Sequence, residues 1–376
     1  MHIVDTTLFF APSSGGVKRY LLAKHGFLQG TRGIRHTIVV PGRGPAVGEG
    51  TGIVHVPSPR IPWGHGYRLP LRMSAWADAL CALQPDVIEA GDPYHIAWAA
   101  LEAARRLDIP AVAFAHSDLP RVLAMRLGET AGKLADAYIS RLYSRFELVT
   151  APSRTIARRL WSAGVERVAV QPLGVDTELF HPGRRDPALR AELGLPEDTR
   201  LLIYAGRLSA EKHIPLLPQA ARLLGPPYHL LIVGGDRRRR EPGVTWLPYE
   251  QDSARLARLV ASCDALVHAG EHETFGLVFI EAMACGLPVV GVRSGAVPEI
   301  VDEAVGRIAE PRSVASLVQA VRALFAADHR AMGEQARRKV ESVHGWEPIF
   351  RQQLSRYVSL VRRMPVRQRL ALGAGL

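Results

Sequence analysis

The sequence predicts an α/β protein of two doubly wound halves, each a parallel sheet covered by helices on both faces. Three observations predict it. Short aliphatic runs bounded by Gly, Pro or Asp alternate with helical stretches along the chain. That alternation occurs twice, once on each side of a polar segment near residue 190. The length, 376 residues, suits two ordinary domains better than one.

In the first half the strand-like runs are His2–Asp5, Thr37–Val40, Val87–Glu89, Ala111–Ala115 and Leu148–Ala151. Helical patterns lie between them at Lys18–Leu28, Ile96–Leu107 and Ser153–Ala163. Each run is short and β-branched or aliphatic, and strand–helix alternation of this kind predicts a parallel sheet covered by helices on both faces. The second series begins with Leu201–Ala205 and continues with His229–Val233, Val244–Trp246, Ala265–His268 and Pro288–Gly291. Its helices are expected at Ile214–Leu224, Ser253–Cys263 and Phe279–Ala284. Two Rossmann-like domains follow, 1–172 and 173–346. Pro182–Thr199, polar and rich in proline, reads as a connection between them with a short helix inside. From about residue 347 the chain reads as a helix, with Phe350, Leu354, Tyr357, Val358 and Val361 on one apolar stripe that needs a docking surface. Its last residues, Arg367–Leu376, are expected to be loose.

Composition excludes several classes. A hydrophobic content of 47% with 22% charged residues is that of a globular protein, not a disordered or fibrous one. Cys81, Cys263 and Cys285 are odd in number and lack zinc-site spacing, so reduced thiols in a cytoplasmic protein are expected. The N-terminus has no signal-peptide pattern, and no apolar run is long enough to span a bilayer. The formal charge is +11, and residues 1–175 carry 20 Lys and Arg against 13 Asp and Glu. A basic first half suits nucleic acid, an anionic membrane or anionic small ligands. Its arginines are dispersed, with no aromatic-interleaved basic stripe, which argues against nucleic acid. Arg237–Arg240 reads as a solvated loop, with a phosphate or headgroup contact as the alternative. Pro120–Phe146 sets Arg121, Arg126, Lys133, Arg141 and Arg145 beside Leu123, Leu127, Leu134, Tyr138 and Leu142. Two readings stay open: a membrane-facing amphipathic helix, and a packed helix with a solvated face.

Two segments carry chemistry. In Tyr204-Ala-Gly-Arg-Leu-Ser-Ala-Glu-Lys212 a strand runs into a glycine and then two cations five residues apart. Beyond a strand's carboxyl end, Arg207 and Lys212 suit a diphosphate whose charge grows as it leaves. Read bare, they also fit a solvated pair. In Glu271-His-Glu-Thr-Phe-Gly276 and the helix after it, Glu273 lies in a loop and Glu281 a turn or so inside the helix. The helix N-terminus offers N–H groups, and carboxylates accept paired sugar hydroxyls. The bland alternative is a capping acid plus a surface acid.

Taken together, GRLSAEK, EHETFGLVFIEAMACGLPVV and GAVPEIV resemble the retaining family 4 glycosyltransferases of GT-B fold. The likeness spans most of the chain and is densest in the second half. It implies two domains facing across a cleft, with the C-terminal helix crossing back to the first. It also implies transfer of a sugar from a nucleoside-diphosphate sugar, such as a UDP- or GDP-hexose, to an acceptor hydroxyl, with no metal and no further cofactor. Residues 173–346 would bind the donor, and 1–172 with 347–376 the acceptor. Arg207 and Lys212 would hold the diphosphate, Glu273 the transferred sugar and Glu281 the ribose, in an E-x7-E arrangement. Phe275, Gly276 and Leu277 would offer backbone amides. Ala269-Gly270 stands where many relatives have Pro-Ser.

In the first half, Gly15 and Gly16 match a glycine-rich loop near the phosphates, where Lys18 and Arg19 add charge. His116 matches a histidine beside the reacting sugar and acceptor. Asp118, Asp92 and Tyr94 are expected acceptor contacts. The acceptor is expected to be a glycolipid, polysaccharide or small glycoside, with an anionic membrane as a possible surface. Since no carboxylate nucleophile is evident, a same-face reaction is expected, the leaving phosphate taking the acceptor's proton. A sugar-nucleotide epimerase or phosphorylase on the same scaffold is the alternative, followed by a basic nucleic-acid-binding protein.

Overall fold

A computed structural model describes residues 1–11, 14–43, 52–62, 66–236 and 239–363, the side chains of Arg239 and Arg240 excepted. The chain divides into two compact units: Met1–Pro172 with the chain from Glu347 onward, and Leu173–Trp346.

The first unit is a seven-stranded, wholly parallel sheet of order β3-β2-β1-β4-β5-β6-β7. Its strands are β1 His2–Thr6, β2 Arg35–Gly42, β3 Ile53–Pro57, β4 Val87–Ala90, β5 Ala111–Phe114, β6 Leu148–Ala151 and β7 Val168–Val170. Among the described residues six helices connect them: α1 Gly16–Gln29, α2 Met73–Ala82, α3 His95–Leu107, α4 Leu119–Leu127, α5 Glu129–Tyr143 and α6 Arg154–Ser162. Every residue of β1, β4 and β5 is buried, because helices cover both faces. Trp76 on α2 is fully buried in that core, and its Nε1–H donates to Thr6 Oγ1 at 2.9 Å.

In the second unit α7 Leu189–Glu192 precedes β8 Arg200–Ala205, α8 Leu216–Leu224, β9 Tyr228–Gly235, β10 Arg239–Glu241 and β11 Val244–Pro248. Then come α9 Ser253–Ala261, β12 Ala265–Val267, α10 Leu277–Ala284, β13 Val289–Val292, α11 Val297–Ile300, β14 Gly306–Ala309, α12 Val314–Ala326 and α13 His329–Val343. The sheet order is β10-β11-β9-β8-β12-β13-β14, parallel except where β10 meets β11. Side-chain caps start several helices, as Ser and Asp favour: Ser153 on α6, Asp252 on α9, Ser313 on α12 and Asp328 on α13.

Three expectations need correction. Pro182–Thr199 is not a connection between units but part of the second one. Leu189 and Leu193 are buried there, and Arg190 pairs with Asp264 at 2.6 Å. Pro120–Phe146 is not one helix: Gly128, at φ 92, ends α4 and begins α5. Arg239 and Arg240 lie in β10 rather than in a loop, while Arg237, Arg238 and Arg367–Leu376 lie outside the described residues. Strands β3, β7, β10 and β14 and helices α2, α11, α12 and α13 carried no sequence assignment.

The last helix, α14 Trp346–Arg362, docks from Glu347 onward on the first unit through a buried polar network. Lys24 of α1, 1% exposed, donates to Asp5 Oδ1 at 2.8 Å, Glu89 Oε1 at 3.0 Å and Tyr357 Oη at 2.8 Å. Tyr357 donates to Glu89 Oε2, and Gln353 Nε2 donates to the same oxygen at 2.9 Å and to Tyr20 Oη at 2.6 Å. His36 Nε2 lies 3.0 Å from Asp5 Oδ2. The buried face of α14 is therefore Ile349, Phe350, Gln353 and Tyr357, with a polar residue amid the expected apolar stripe.

Candidate active site

In the second unit β8 runs into Gly206–Lys212, β12 into His268–Gly276 and β13 into Ser294–Ala296, all at carboxyl ends, where open parallel sheets bind ligands. Hydrogen bonds join the three loops. Glu271 N donates to Glu211 O at 3.0 Å, Ala296 N to Glu273 O at 2.8 Å, and His272 N to Ser294 Oγ at 3.3 Å.

At the centre Lys212 Nζ donates to Glu273 Oε1, and His268 Nε2 lies 3.3 Å from the same oxygen. Gly270 N donates to His268 Nδ1 at 3.1 Å, so the neutral ring carries its proton on Nε2, facing Glu273. Burial holds His268 down at about 4, leaving it neutral. Burial alone would raise the Glu273 carboxyl, but Lys212, His268 and Arg207 outweigh it and keep the group below its ordinary range. Arg207 is exposed, accepts Tyr204 O–H at its carbonyl at 2.8 Å, and forms no ion pair among the described residues. The cluster thus pairs an ionised carboxylate with a lysine and leaves an arginine to meet an anion.

Two glycines permit this packing. A Cβ at Gly270 would lie 2.5 Å from the His268 ring and 3.0 Å from Lys212 Cδ. One at Gly295, whose φ is +58, would lie 2.5 Å from Glu273 O. Gly276 precedes α10, Leu277 is that helix's first residue, and Glu281, a turn inside, is 4% exposed. Phe275 is buried, edge-on to His344 at 5.6 Å.

In the first unit Gly15 caps α1, which begins at Gly16. His116 follows β5, stacks flat on Phe114 at 3.9 Å and sits edge-on to Tyr20 at 5.0 Å. Burial and then the Lys24 charge lower it to about 3, so the ring is uncharged at neutral pH. Tyr94 packs edge-on against Phe9 at 5.9 Å.

Asp118 and Asp92 are both hydrogen-bonded within the first unit. Asp118 accepts from Arg121 N at 3.2 Å, capping α4, and from Arg159 Nη1 at 2.7 Å. Asp92 accepts from Leu8 N at 2.7 Å and Thr7 Oγ1 at 3.0 Å, tying the loop after β1 to the end of β4.

Residues 14–179 match the family described as Glycosyltransferase Family 4, and residues 186–339 match Glycosyl transferases group 1. A GDP-mannose-dependent alpha-(1-6)-phosphatidylinositol dimannoside mannosyltransferase of Mycobacterium tuberculosis is 31% identical over 365 residues, covering 92% of this chain and 93% of that protein. The chain is a family 4 glycosyltransferase. A GDP-mannose-dependent alpha-mannosyltransferase of Mycolicibacterium smegmatis is 29% identical and covers 98% of this glycosyltransferase and 100% of itself. Among solved structures, a sucrose-phosphate synthase from Thermosynechococcus elongatus superposes with a TM-score of 0.80 at 22% identity, covering 96% of this chain and 100% of that one. The fold is GT-B, and the enzyme transfers sugar from a nucleotide-sugar donor.

Sequence reasoning missed two supports of the glycosyltransferase's second-unit cluster. One is His268. The other is Glu271, 6% exposed, which lies 2.7 Å from Arg312 Nε, 3.1 Å from His213 Nε2 and 3.4 Å from His272 Nε2. Arg312, His213 and His272 have φ of 56, 47 and 63, left-handed backbone that costs a non-glycine residue about 1–2 kcal/mol. One buried carboxylate thus gathers three strained turns. The Glu-His-Glu run was its only signal.

Asp92 yields a pH prediction. Burial raises its carboxyl to about 6. A carboxyl raised on folding contributes stability below its ordinary range, and that stability is lost as pH rises through 6. A shift of about two units corresponds to roughly 3 kcal/mol. Asp92→Asn keeps an acceptor oxygen and removes the charge. It is expected to stabilise the enzyme by about 1–3 kcal/mol at pH 7 and to flatten the stability profile between about pH 4 and 6. Urea denaturation across that range checks it; an unchanged slope would sink the assignment.

Proposed function

We propose that the enzyme transfers mannose from GDP-mannose to a hydroxyl of a lipid-linked acceptor, with retention at the anomeric carbon and without a metal. The observation that carries this reading is the convergence of Arg207, Lys212 and Glu273 on one set of strand ends. Arg207 and Lys212 stabilise the departing diphosphate, the work a divalent cation does elsewhere. Among the described residues, Glu273 is engaged at Oε1, which leaves Oε2 for sugar hydroxyls. Glu281 takes the ribose, and the amides of Phe275, Gly276 and Leu277 meet sugar and phosphate. In the first unit, Gly15 and Gly16 are the proposed phosphate contacts, and His116 and Tyr94 the proposed acceptor contacts. The leaving phosphate takes the acceptor's proton on the same face. GDP-mannose is favoured over other donors by the full-length relatives that use it.

A cytoplasmic, membrane-peripheral location belongs to the same proposal. Among the described residues no helix is long and apolar enough to cross a membrane. On α4 and α5, Leu127 and Leu134 are 71% and 70% exposed, and Arg126 and Lys133 are exposed on the same two helices. Flotation with anionic vesicles tests that surface, and no flotation overturns it.

The donor reading is tested by thermal shift with GDP-, UDP-, ADP- and dTDP-sugars. A donor at a hundredfold its Kd stabilises the protein by about 2.7 kcal/mol, so GDP-mannose is expected to give the largest shift. A larger shift with another base rejects it as donor, and an inverted product anomer rejects retention.

A further inference from the structure

His268 directly follows β12, and its backbone N–H donates to Val290 O of β13 at 2.9 Å. The imidazole is buried, stacked on Tyr204 at 5.3 Å and tilted against Phe279 at 5.2 Å. Those two rings come from β8 and α10, so three elements close on one side chain. Both of its nitrogens are committed. Gly270 N donates to Nδ1 at 3.1 Å, which leaves the proton of the neutral ring on Nε2, 3.3 Å from Glu273 Oε1. Lys212 Nζ donates to the same oxygen, so two donors on different loops grip one carboxylate oxygen.

The two donors do different work. A glutamate's last torsion is broad and a lysine is a mobile point charge, so that pair alone would not fix which way the carboxylate faces. An imidazole wedged between two rings has no such freedom. Burial keeps it uncharged, so it orients the carboxylate without neutralising it. Gly270 is what admits the ring. Many relatives have Pro-Ser where this chain has Ala269-Gly270. A Cβ at Gly270 would lie 2.5 Å from His268 Cε1 and 3.1 Å from Nδ1. Any side chain at 270 would therefore displace the imidazole, and the Nε2 donor with it.

We infer that His268 is a positioning residue: held by Gly270, it turns Glu273 so that Oε2 faces the transferred sugar, and it thereby sets how strongly the site prefers a sugar-bearing donor to the bare nucleotide. The inference rests on the proposed assignment of Glu273 to that sugar and adds the group that aims it.

Calorimetry on the full chain measures the affinities for GDP-mannose and for GDP. In His268→Phe the affinity for GDP-mannose relative to GDP is expected to fall about tenfold, as when one hydrogen bond to a charged group is lost, with GDP affinity kept. His268→Gln, whose amide N–H can reach the place of Nε2, is expected to retain most of the preference. Gly270→Ala is expected to lose it with the histidine still present. In a Glu273→Gln background, His268→Phe should change nothing further, because the histidine acts through that carboxylate. A His268→Phe variant with the parent's preference would overturn the inference. So would equal losses for GDP and GDP-mannose, a glutamine variant as poor as the phenylalanine one, or losses that add in the double variant. If His268→Phe does not fold, Gly270→Ala decides, and an unchanged preference there overturns the inference. Loss of preference in Glu273→Gln without loss in His268→Phe refutes this inference alone. Full preference in Glu273→Gln refutes the assignment of Glu273 to the sugar, and a parent chain that does not bind GDP refutes the donor.

Discussion

Arg207→Ala and Lys212→Ala are each expected to lower kcat by about 10²–10³, the usual loss when one preorganised charge stabiliser is removed. The two should differ in kind. Arg207 is exposed and forms no ion pair among the described residues, so its loss should leave stability unchanged and fall on the chemical step and GDP affinity. Lys212 is also the chief group holding the Glu273 carboxyl below its ordinary range. Without it the carboxyl rises, and the acid limb of the pH–rate profile should move to higher pH in Lys212→Ala but not in Arg207→Ala. Steady-state kinetics with GDP-mannose across pH measures both effects. Near-normal turnover in both variants would remove these residues from the reaction.

Lys24→Met is expected to destabilise the enzyme by about 3–5 kcal/mol, the cost of removing one partner from a buried ion pair. Asp5 and Glu89, each 1% exposed, would keep their burial and lose their shared cation. With a stability of about 5–15 kcal/mol for a typical domain, that is a large fraction. The acid limb should change too. Burial would raise the Asp5 carboxyl, but Lys24 and His36 outweigh it and hold it at about 2. A carboxyl depressed on folding contributes stability above its unfolded value of about 3.9, and that stability is lost as pH falls toward 2. Glu89 has the opposite sign, since burial raises it above its ordinary range. Lys24→Met should therefore blunt the acid loss that Asp5 causes. Urea denaturation at neutral and acid pH measures both, and a change below about 1 kcal/mol at pH 7 would show that the lysine does not hold α14 and the sheet together.

Much of the second-unit cluster was legible because its information is local. Arg207 and Lys212 sit on one loop, Glu273 and Glu281 on one loop and helix, and their spacings survive in the linear chain. Strand–helix alternation was legible for the same reason, since hydrophobic period is a property of neighbours. Short or partly exposed elements were not. All three residues of β7 are only partly buried, and β10 is an arginine-containing edge strand.

By itself, then, the sequence determined the doubly wound pattern in both halves, the family, and the charges gathered at the ends of β8 and β12. Tertiary structure alone decided which polar groups are buried and against what. Lys24 on α1 bonds Tyr357, 333 positions away. Asp92 and Asp118 read as acceptor contacts, and only the structure shows that their oxygens hold a loop and a helix pair. His116 reads only as a histidine after a strand, and burial is what keeps it neutral. Protonation and partnership depend on desolvation and on contacts between distant segments, and neither has a signature in local spacing.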